Sequence, residues 1–262
     1  MKEFTGEFDE RDLKTFQVPK KKKRRKKHYF LRFLLFLGVL VLIYFGLSSS
    51  YFNIKHISVS GNHYYTDQEV INMADAKKGK NIFFEAGKKD IIKRLEKDPY
   101  FEEVKVKRSL PSTLKLVVKE RVQTAAVAYG NQYVVIDNEG NVLRKTGVMP
   151  KVTLLTGLTI SKMEVGSPIE VEEKETLDTT LKMLHAMVKG DIFFKKIDFS
   201  KMLIRAYIYD NLIVKGKPQQ LMDAINSGDL QKVVSDLFDD GISRGTINIG
   251  GNDYMSFSPD IG

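Results

Sequence analysis

The sequence predicts an α+β protein with a single N-terminal transmembrane helix, followed by a small β-α-α-β-β domain and a second, mixed β domain with two helices. Three observations predict it: an uncharged apolar stretch near the N-terminus, two successive regions of strand and helix patterns, and 42% hydrophobic residues in a chain of 262. That length suits one large domain or two ordinary ones. With only 19 Gly and 7 Pro, a collagen-like or wholly disordered chain is excluded.

The basic residues are concentrated at the N-terminus. Residues 1–50 hold 12 basic and 5 acidic side chains, whereas residues 51–262 hold 30 and 28. A nucleic-acid-binding fold carries its excess positive charge on a folded face, so this distribution predicts no nucleic-acid partner. The absence of Cys excludes disulfide frameworks, thiolate nucleophiles and Cys-ligated metal sites.

The apolar stretch at residues 30–50 is expected to be the transmembrane helix. About 20 residues at about 1.5 Å each cross the hydrocarbon core, and the stretch lacks the polar stripe of a globular helix. A cleaved signal peptide is the main alternative, but its apolar region would be only about 7–15 residues long.

Eight consecutive basic residues precede this stretch: Lys20, Lys21, Lys22, Lys23, Arg24, Arg25, Lys26 and Lys27. Such a run also fits a nuclear-localisation or nucleic-acid patch. Its position directly before a span favours the positive-inside rule instead. Residues 1–29 are then a cytoplasmic basic tail, and the bulk of the chain is extracytoplasmic.

Residues 51–121 are expected to form a complete small domain. Ile57 and Val59 alternate in a first strand, and Thr66 stands three residues before Glu69 in a capping box that starts a helix. A second helix is expected from about 85 to 97, followed by strands at 104–108 and 114–121. Two helices covering one side of a small sheet give an α+β domain.

This region resembles the POTRA domain of the DivIB/FtsQ cell-division proteins. The residues that carry the resemblance are, in order, Ile54, Ile57, Val59, Gly61, Asn62, Leu95, Pro99, Val104, Val106, Arg108, Pro111, Leu116, Val118, Glu120 and Arg121. No single one of these residues is specific to the family, but their order and spacing directly after a single span are. The resemblance extends over residues 20 to about 260, because the family also has a basic tail, one span and a second β-rich domain. POTRA domains of outer-membrane machines are accompanied by barrel strands, for which this chain has no room.

Residues 122–246 are expected to form the second, β domain. A hairpin at 133–143, an amphipathic helix at 171–188 and three strands between 192 and 214 lead to a further helix from Pro218, which Gly228 could divide. Residues 247–262 are expected to be a C-terminal edge strand and a short tail. The resemblance implies that this terminal strand lies at the edge of the sheet.

The sequence offers no catalytic or metal-binding pattern. The four histidines have no partner at the i, i+4 spacing of a helical metal site, and there is no serine elbow. Gly87-Lys88-Lys89 lacks both the leading Gly and the Ser or Thr of a phosphate loop. We therefore expect no cofactor, no metal, no small-molecule substrate and no enzymatic activity.

The resemblance implies a non-catalytic scaffold of the bacterial divisome that acts at the septum of the cell membrane. Its implied partners are membrane division proteins of the FtsL and DivIC/FtsB type, with a septal penicillin-binding protein as a further candidate. A membrane-anchored cell-wall hydrolase and a chaperone-like translocation partner are the rival hypotheses. For the partner-binding edge the sequence predicts Ile247, Ile249, Tyr254, Met255 and Phe257, because an uncharged edge strand with nearby aromatic residues is a template for strand pairing.

Overall fold

The computed structural model describes residues 28–199, 203–251 and 254–260. The chain divides into two units, residues 1–48 and 49–262. In the first unit, helix α1 (Tyr29–Leu47) has no buried residue. It is the one helix in the described ranges that is long and apolar enough to cross a membrane. The helix ends three residues before the predicted position 50, because the Ser49 side chain accepts the N–H of Tyr51 and starts a separate helical turn, Ser50–Phe52.

The first half of the second unit contains a three-stranded sheet and two helices. Its elements are β1 (His56–Ser60), α2 (Asp67–Ala74), α3 (Lys88–Leu95), β2 (Phe101–Ser109) and β3 (Thr113–Glu120). Within the described residues the strand order is β1-β3-β2. Strand β3 pairs parallel with β1 and antiparallel with β2. This is the predicted β-α-α-β-β order, and the parallel pair is possible because the two helices supply the long connection that it needs.

The core of this half lies between the helices and the sheet. Alternate residues of β3, Leu114, Leu116 and Val118, are buried against Val70 of α2 and Leu95 of α3. The predicted capping box is present at the start of α2. The Thr66 backbone N–H and hydroxyl each donate to the Glu69 carboxylate at 2.8 Å, and the Glu69 N–H donates back to the Thr66 hydroxyl at 3.3 Å.

The second half is built on a larger sheet. Its elements are β4 (Ala125–Tyr129), β5 (Gln132–Ile136), β6 (Val142–Thr146), β7 (Thr153–Thr156), β8 (Ile160–Lys162), β9 (Glu170–Val171), α4 (Lys174–Lys189), β10 (Lys196–Asp198), β11 (Ile204–Tyr207), β12 (Leu212–Gly216), α5 (Pro218–Ser227), α6 (Asp229–Asp239), β13 (Gly245–Ile249) and β14 (Met255–Pro259). In the described part of the chain, nine of these strands form one sheet in the order β14-β13-β12-β11-β10-β7-β4-β5-β6. Strands β8 and β9 form a separate pair.

The helices α4, α5 and α6 pack on this sheet through one continuous apolar core. The helix predicted from Pro218 is divided at Gly228, the division that the sequence left open, so three helices pack here in the described part of the chain. The reason is Gly228, which adopts a left-handed φ of 83° and ends α5 immediately before α6 begins. Helices α5 and α6 together connect the parallel neighbours β12 and β13.

Two adjacent residues join the halves. The Glu120 carboxylate accepts the backbone N–H groups of His63, Tyr64 and Tyr65. The guanidinium of Arg121 points the other way and donates to Asp137 and Glu139 in the turn between β5 and β6, at 2.7 and 3.0 Å. The pair therefore ties the end of β3 to both halves.

Candidate partner-binding surface

Strand β14 is the edge of the nine-stranded sheet, which corrects the prediction that the strand with Ile247 and Ile249 lies there. Residues 255–259 pair antiparallel with β13, from Met255 opposite Ile249 to Pro259 opposite Gly245. Strand β13 is thus covered on both sides, by β12 and by β14. Because β14 alternates apolar and polar residues over Met255-Ser-Phe-Ser, it satisfies the period of a half-buried strand.

The hydrogen-bond phase of this hairpin determines which main-chain groups remain unpaired. The Gly250 N–H donates to the Tyr254 carbonyl at 2.8 Å. Hydrogen-bonded pairs alternate in an antiparallel ladder, so Ser256 and Ser258 bond to β13. The N–H and C=O groups of Met255 and Phe257 then point away from β13, and no strand in the described residues pairs with them.

The side chains of β14 divide between its two faces. Met255 and Phe257 lie on the same face as their partners Ile249 and Ile247 and pack partly buried against the core. Tyr254, which precedes the strand, is 67% exposed. Tyr254 and Phe257 were both predicted to bind the partner, but their rings have different environments.

A cavity of about 200 Å³ opens beside the hairpin turn. Ile249, Gly250 and Met255 form one wall, and residues of α5 and the start of α6 form the other. Two carboxylates line it, Asp223 and Asp229, each already accepting one hydrogen bond, from Gln219 and Ser227 respectively. The cavity can hold a side chain that donates hydrogen bonds or carries positive charge, because carboxylates accept but do not donate.

Only some of the predicted partner-binding residues lie at this edge of the sheet. Ile247 and Ile249 are 0% and 6% exposed and belong to the core. They cannot meet a partner directly, because β14 and the helices cover them. Tyr254, Met255 and Phe257 are at the edge. The predicted orientation residues, Lys20 to Lys27, lie outside the described residues.

The strand β14 and the cavity beside it were missed by sequence reasoning. The alternation after Tyr254 is a usable signal for the strand, but it is only four residues long. The cavity had no signal, because its walls come from segments about 30 residues apart. In the ranges that the structure describes, no group of three or more His, Asp or Glu side chains could hold a metal ion.

The chain is similar in sequence to known proteins of cell division. Residues 52–121 match the family model described as POTRA domain, FtsQ-type. The cell division protein DivIB of Clostridium acetobutylicum is 28% identical over 192 residues, which cover 72% of this chain and 76% of that protein. DivIB of Clostridium botulinum (strain Hall) is 28% identical over 193 residues, covering 71% and 75%. Residues 52–121 are thus similar to FtsQ-type POTRA domains, and most of the chain is similar to DivIB cell division proteins.

This similarity makes the chain a cell division protein, and its apolar helix α1 suits a membrane anchor. The prediction that it is not an enzyme is confirmed by this similarity, because DivIB/FtsQ proteins are non-enzymatic scaffold proteins of cell division. The solved major extracytoplasmic domain of DivIB from Geobacillus stearothermophilus aligns with 48% of this chain and 99% of that chain, at 13% identity and a TM-score of 0.31.

Proposed function

We propose that this protein is a scaffold of the divisome that promotes assembly at the septum by binding membrane division proteins of the FtsL and DivIC/FtsB type. Helix α1 anchors the chain in the cell membrane, with the tail of residues 1–29 in the cytoplasm and the bulk of the chain outside. The basic run Lys20 to Lys27 supports this orientation through the positive-inside rule.

The free outer side of β14 is the observation that carries the proposed binding mechanism. An extended segment of a partner can add a tenth strand by bonding to the main-chain groups of Met255 and Phe257. Proteins usually guard such edges with charge or proline. Here no charged residue occurs from Tyr254 to Ser258, and Pro259, which has no N–H, ends the accessible stretch.

Tyr254 is the proposed side-chain anchor. It is exposed beside the edge, and tyrosine is enriched among the residues that dominate binding energy. Phe257 contributes its outward main chain to the interface, while its ring supports the strand from the core side.

Site-specific photocrosslinking in dividing cells tests this proposal. A photoreactive phenylalanine analogue is placed at Tyr254, and the matched control carries it at Val148, which is exposed beyond β6 at the other edge of the sheet. We expect the Tyr254 position to capture a small membrane division protein that the Val148 position does not capture. Equal capture at both positions, or capture at Val148 alone, would contradict a binding site on β14.

A further inference from the structure

Basic and aromatic residues are concentrated on the loop between α2 and α3 and on the first turn of α3. The surface that they form comprises the exposed or half-exposed cations Lys78, Lys80, Lys88 and Lys89 together with Phe84, which is 53% exposed. The proposed partner binding at β14 does not involve these residues.

The loop is hydrogen-bonded to the chain segment that follows helix α1. The Ile54 N–H donates to the Lys80 carbonyl at 2.9 Å, and the Ile82 N–H donates to the Phe52 carbonyl at 3.0 Å. The rings of Phe52 and Phe83 also meet, with centroids 5.3 Å apart. Only residues 48–51 separate Phe52 from the end of α1 at Leu47, and a chain covers at most about 3.6 Å per residue. The loop is therefore hydrogen-bonded to a segment that a short covalent connection joins to α1.

The charge of the surface is largely uncompensated. Three carboxylates occur close by in the chain: Asp75 bonds to Lys77 at 3.2 Å, the Glu85 carboxylate accepts the Asn81 N–H at 3.0 Å, and Asp90 lies in the first turn of α3. Within the described residues, Lys78, Lys80, Lys88 and Lys89 have no carboxylate at ion-pair distance. None of these four ammonium groups is therefore held in an ion pair, and Lys80 adds, after Lys77 and Arg94, to the positive charge that lowers the pKa of Asp75.

The aromatic side chains fit the same kind of partner. Phe84 and Tyr51, which is 60% exposed, lie on the two segments that these hydrogen bonds join. Tyrosine rings concentrate at the headgroup level of bilayers, phenylalanine rings bury at the boundary between headgroups and acyl chains, and lysine clusters next to a span attract anionic lipids. A loop that faces only water gains no stability from exposed aromatic rings or from a cluster of lysines.

We propose that the surface formed by Lys78, Lys80, Phe84, Lys88 and Lys89 binds the phosphate headgroups of anionic phospholipids in the bilayer that α1 spans. The contact holds residues 51–121 against the membrane surface and restricts their rotation about the short connection after Leu47. This function is separate from partner binding at β14, and neither depends on the other.

Lysine acylation of the full chain in lipid nanodiscs tests the inference. Nanodiscs of phosphatidylcholine are compared with nanodiscs of equal parts phosphatidylcholine and phosphatidylglycerol, and each modified lysine is quantified by mass spectrometry. We expect Lys78, Lys80, Lys88 and Lys89 to react at least about threefold more slowly in the anionic nanodiscs, and the difference to vanish at high salt. The exposed Lys145 and Lys182 serve as internal references.

Charge reversal supplies the matched variants. Lys78→Glu, Lys80→Glu and Lys89→Glu together should abolish the protection of Lys88, whereas Lys145→Glu, Lys182→Glu and Lys189→Glu should leave it intact. Equal reaction rates in the two nanodiscs, or protection of Lys88 that survives the first triple variant, would overturn the proposal. Equal protection by soluble poly(glycerol phosphate) with neutral nanodiscs would assign the surface to a wall polymer and overturn it as well.

Discussion

The ring of Phe257 occupies the space that a side chain at Gly245 would need. A Cβ on Gly245 would meet the Phe257 Cζ at 2.5 Å and the Ser258 carbonyl oxygen at 2.8 Å, and Gly245 has a φ of 138°. The two residues lie on neighbouring strands, β13 and β14, with Phe257 opposite Ile247. A glycine at the start of β13 is thus what allows the edge strand to dock.

Gly245→Ala is therefore expected to destabilise the chain by about 2 kcal/mol or more, since it combines overpacking with a strained backbone. Urea unfolding of the full chain in detergent micelles measures the effect. Gly147→Ala is the control, because a Cβ there meets nothing within 4 Å and its φ is not left-handed. If the two variants unfold at the same urea concentration, the packing of Phe257 on Gly245 is not a constraint.

Tyr254 and Phe257 should respond oppositely to truncation. Tyr254→Ala is expected to weaken binding of a DivIC/FtsB-type partner about 30-fold while leaving the melting temperature nearly unchanged, because the ring is exposed. Phe257→Ala is expected to lower the unfolding free energy by about 2 kcal/mol, because its ring packs on the core. Calorimetry of unfolding and of binding on both variants separates the roles. Loss of stability in Tyr254→Ala with unchanged binding would place that ring in the core.

Arg121 should be important for stability because its partner is fully buried. Asp137 has no solvent exposure, and the Arg121 guanidinium lies 2.7 Å from it. Burial lowers the pKa of Arg121, but hydrogen bonds to Asp137 and Glu139 outweigh it and raise the pKa above its usual value. Arg121→Met removes the cation and is expected to cost about 3 kcal/mol of unfolding free energy.

The control for Arg121 is Lys119→Met, two residues earlier. Lys119 pairs with Glu102 on the surface, where ion pairs contribute little, so the urea midpoint should hardly move. The double variant Arg121→Met with Asp137→Asn should recover part of the lost stability. An effect no larger than that of Lys119→Met would show that the backbone N–H groups of Glu139 and Asn141 suffice for Asp137.

The capping box at α2 predicts a pH dependence. Hydrogen bonds from the Thr66 backbone N–H and then from its hydroxyl lower the pKa of Glu69 below its usual value. The contribution to stability is therefore complete above the pKa of Glu69 in the unfolded chain and is lost as pH falls through the lower folded pKa. An NMR titration of the Glu69 carboxyl group measures the shift directly.

Thr66→Ala should move the pKa of Glu69 back towards its usual value and speed amide exchange at the start of α2 about fivefold. Thr66→Ser keeps the hydroxyl and should preserve both quantities. An unchanged Glu69 titration in Thr66→Ala would mean that the Thr66 hydroxyl does not hold the carboxylate in solution.

Local sequence signals determined much of the fold. The apolar length of α1, the Thr66–Glu69 cap, the alternation in β3 and the meander of β10 to β12 depend on residues close together in the chain, so periodicity and capping chemistry predict them. The carrying residues from Ile54 to Arg121 likewise indicated the DivIB/FtsQ family, which the comparisons support.

Only the tertiary structure decided which strand forms the edge. Ile247 and Ile249 read as a terminal strand in sequence, and nothing local shows that Met255 to Pro259 fold back over it, since β14 gains its stability from β13 and from the space above Gly245. The parallel pairs β1–β3 and β12–β13 and the link from Arg121 to Asp137 join residues 16 to about 60 positions apart. Sequence alone determined the elements whose causes are local, and β14 is not one of them. Which edge stays free depends on packing between distant elements, because the same apolar pattern fits both a covered and an uncovered strand.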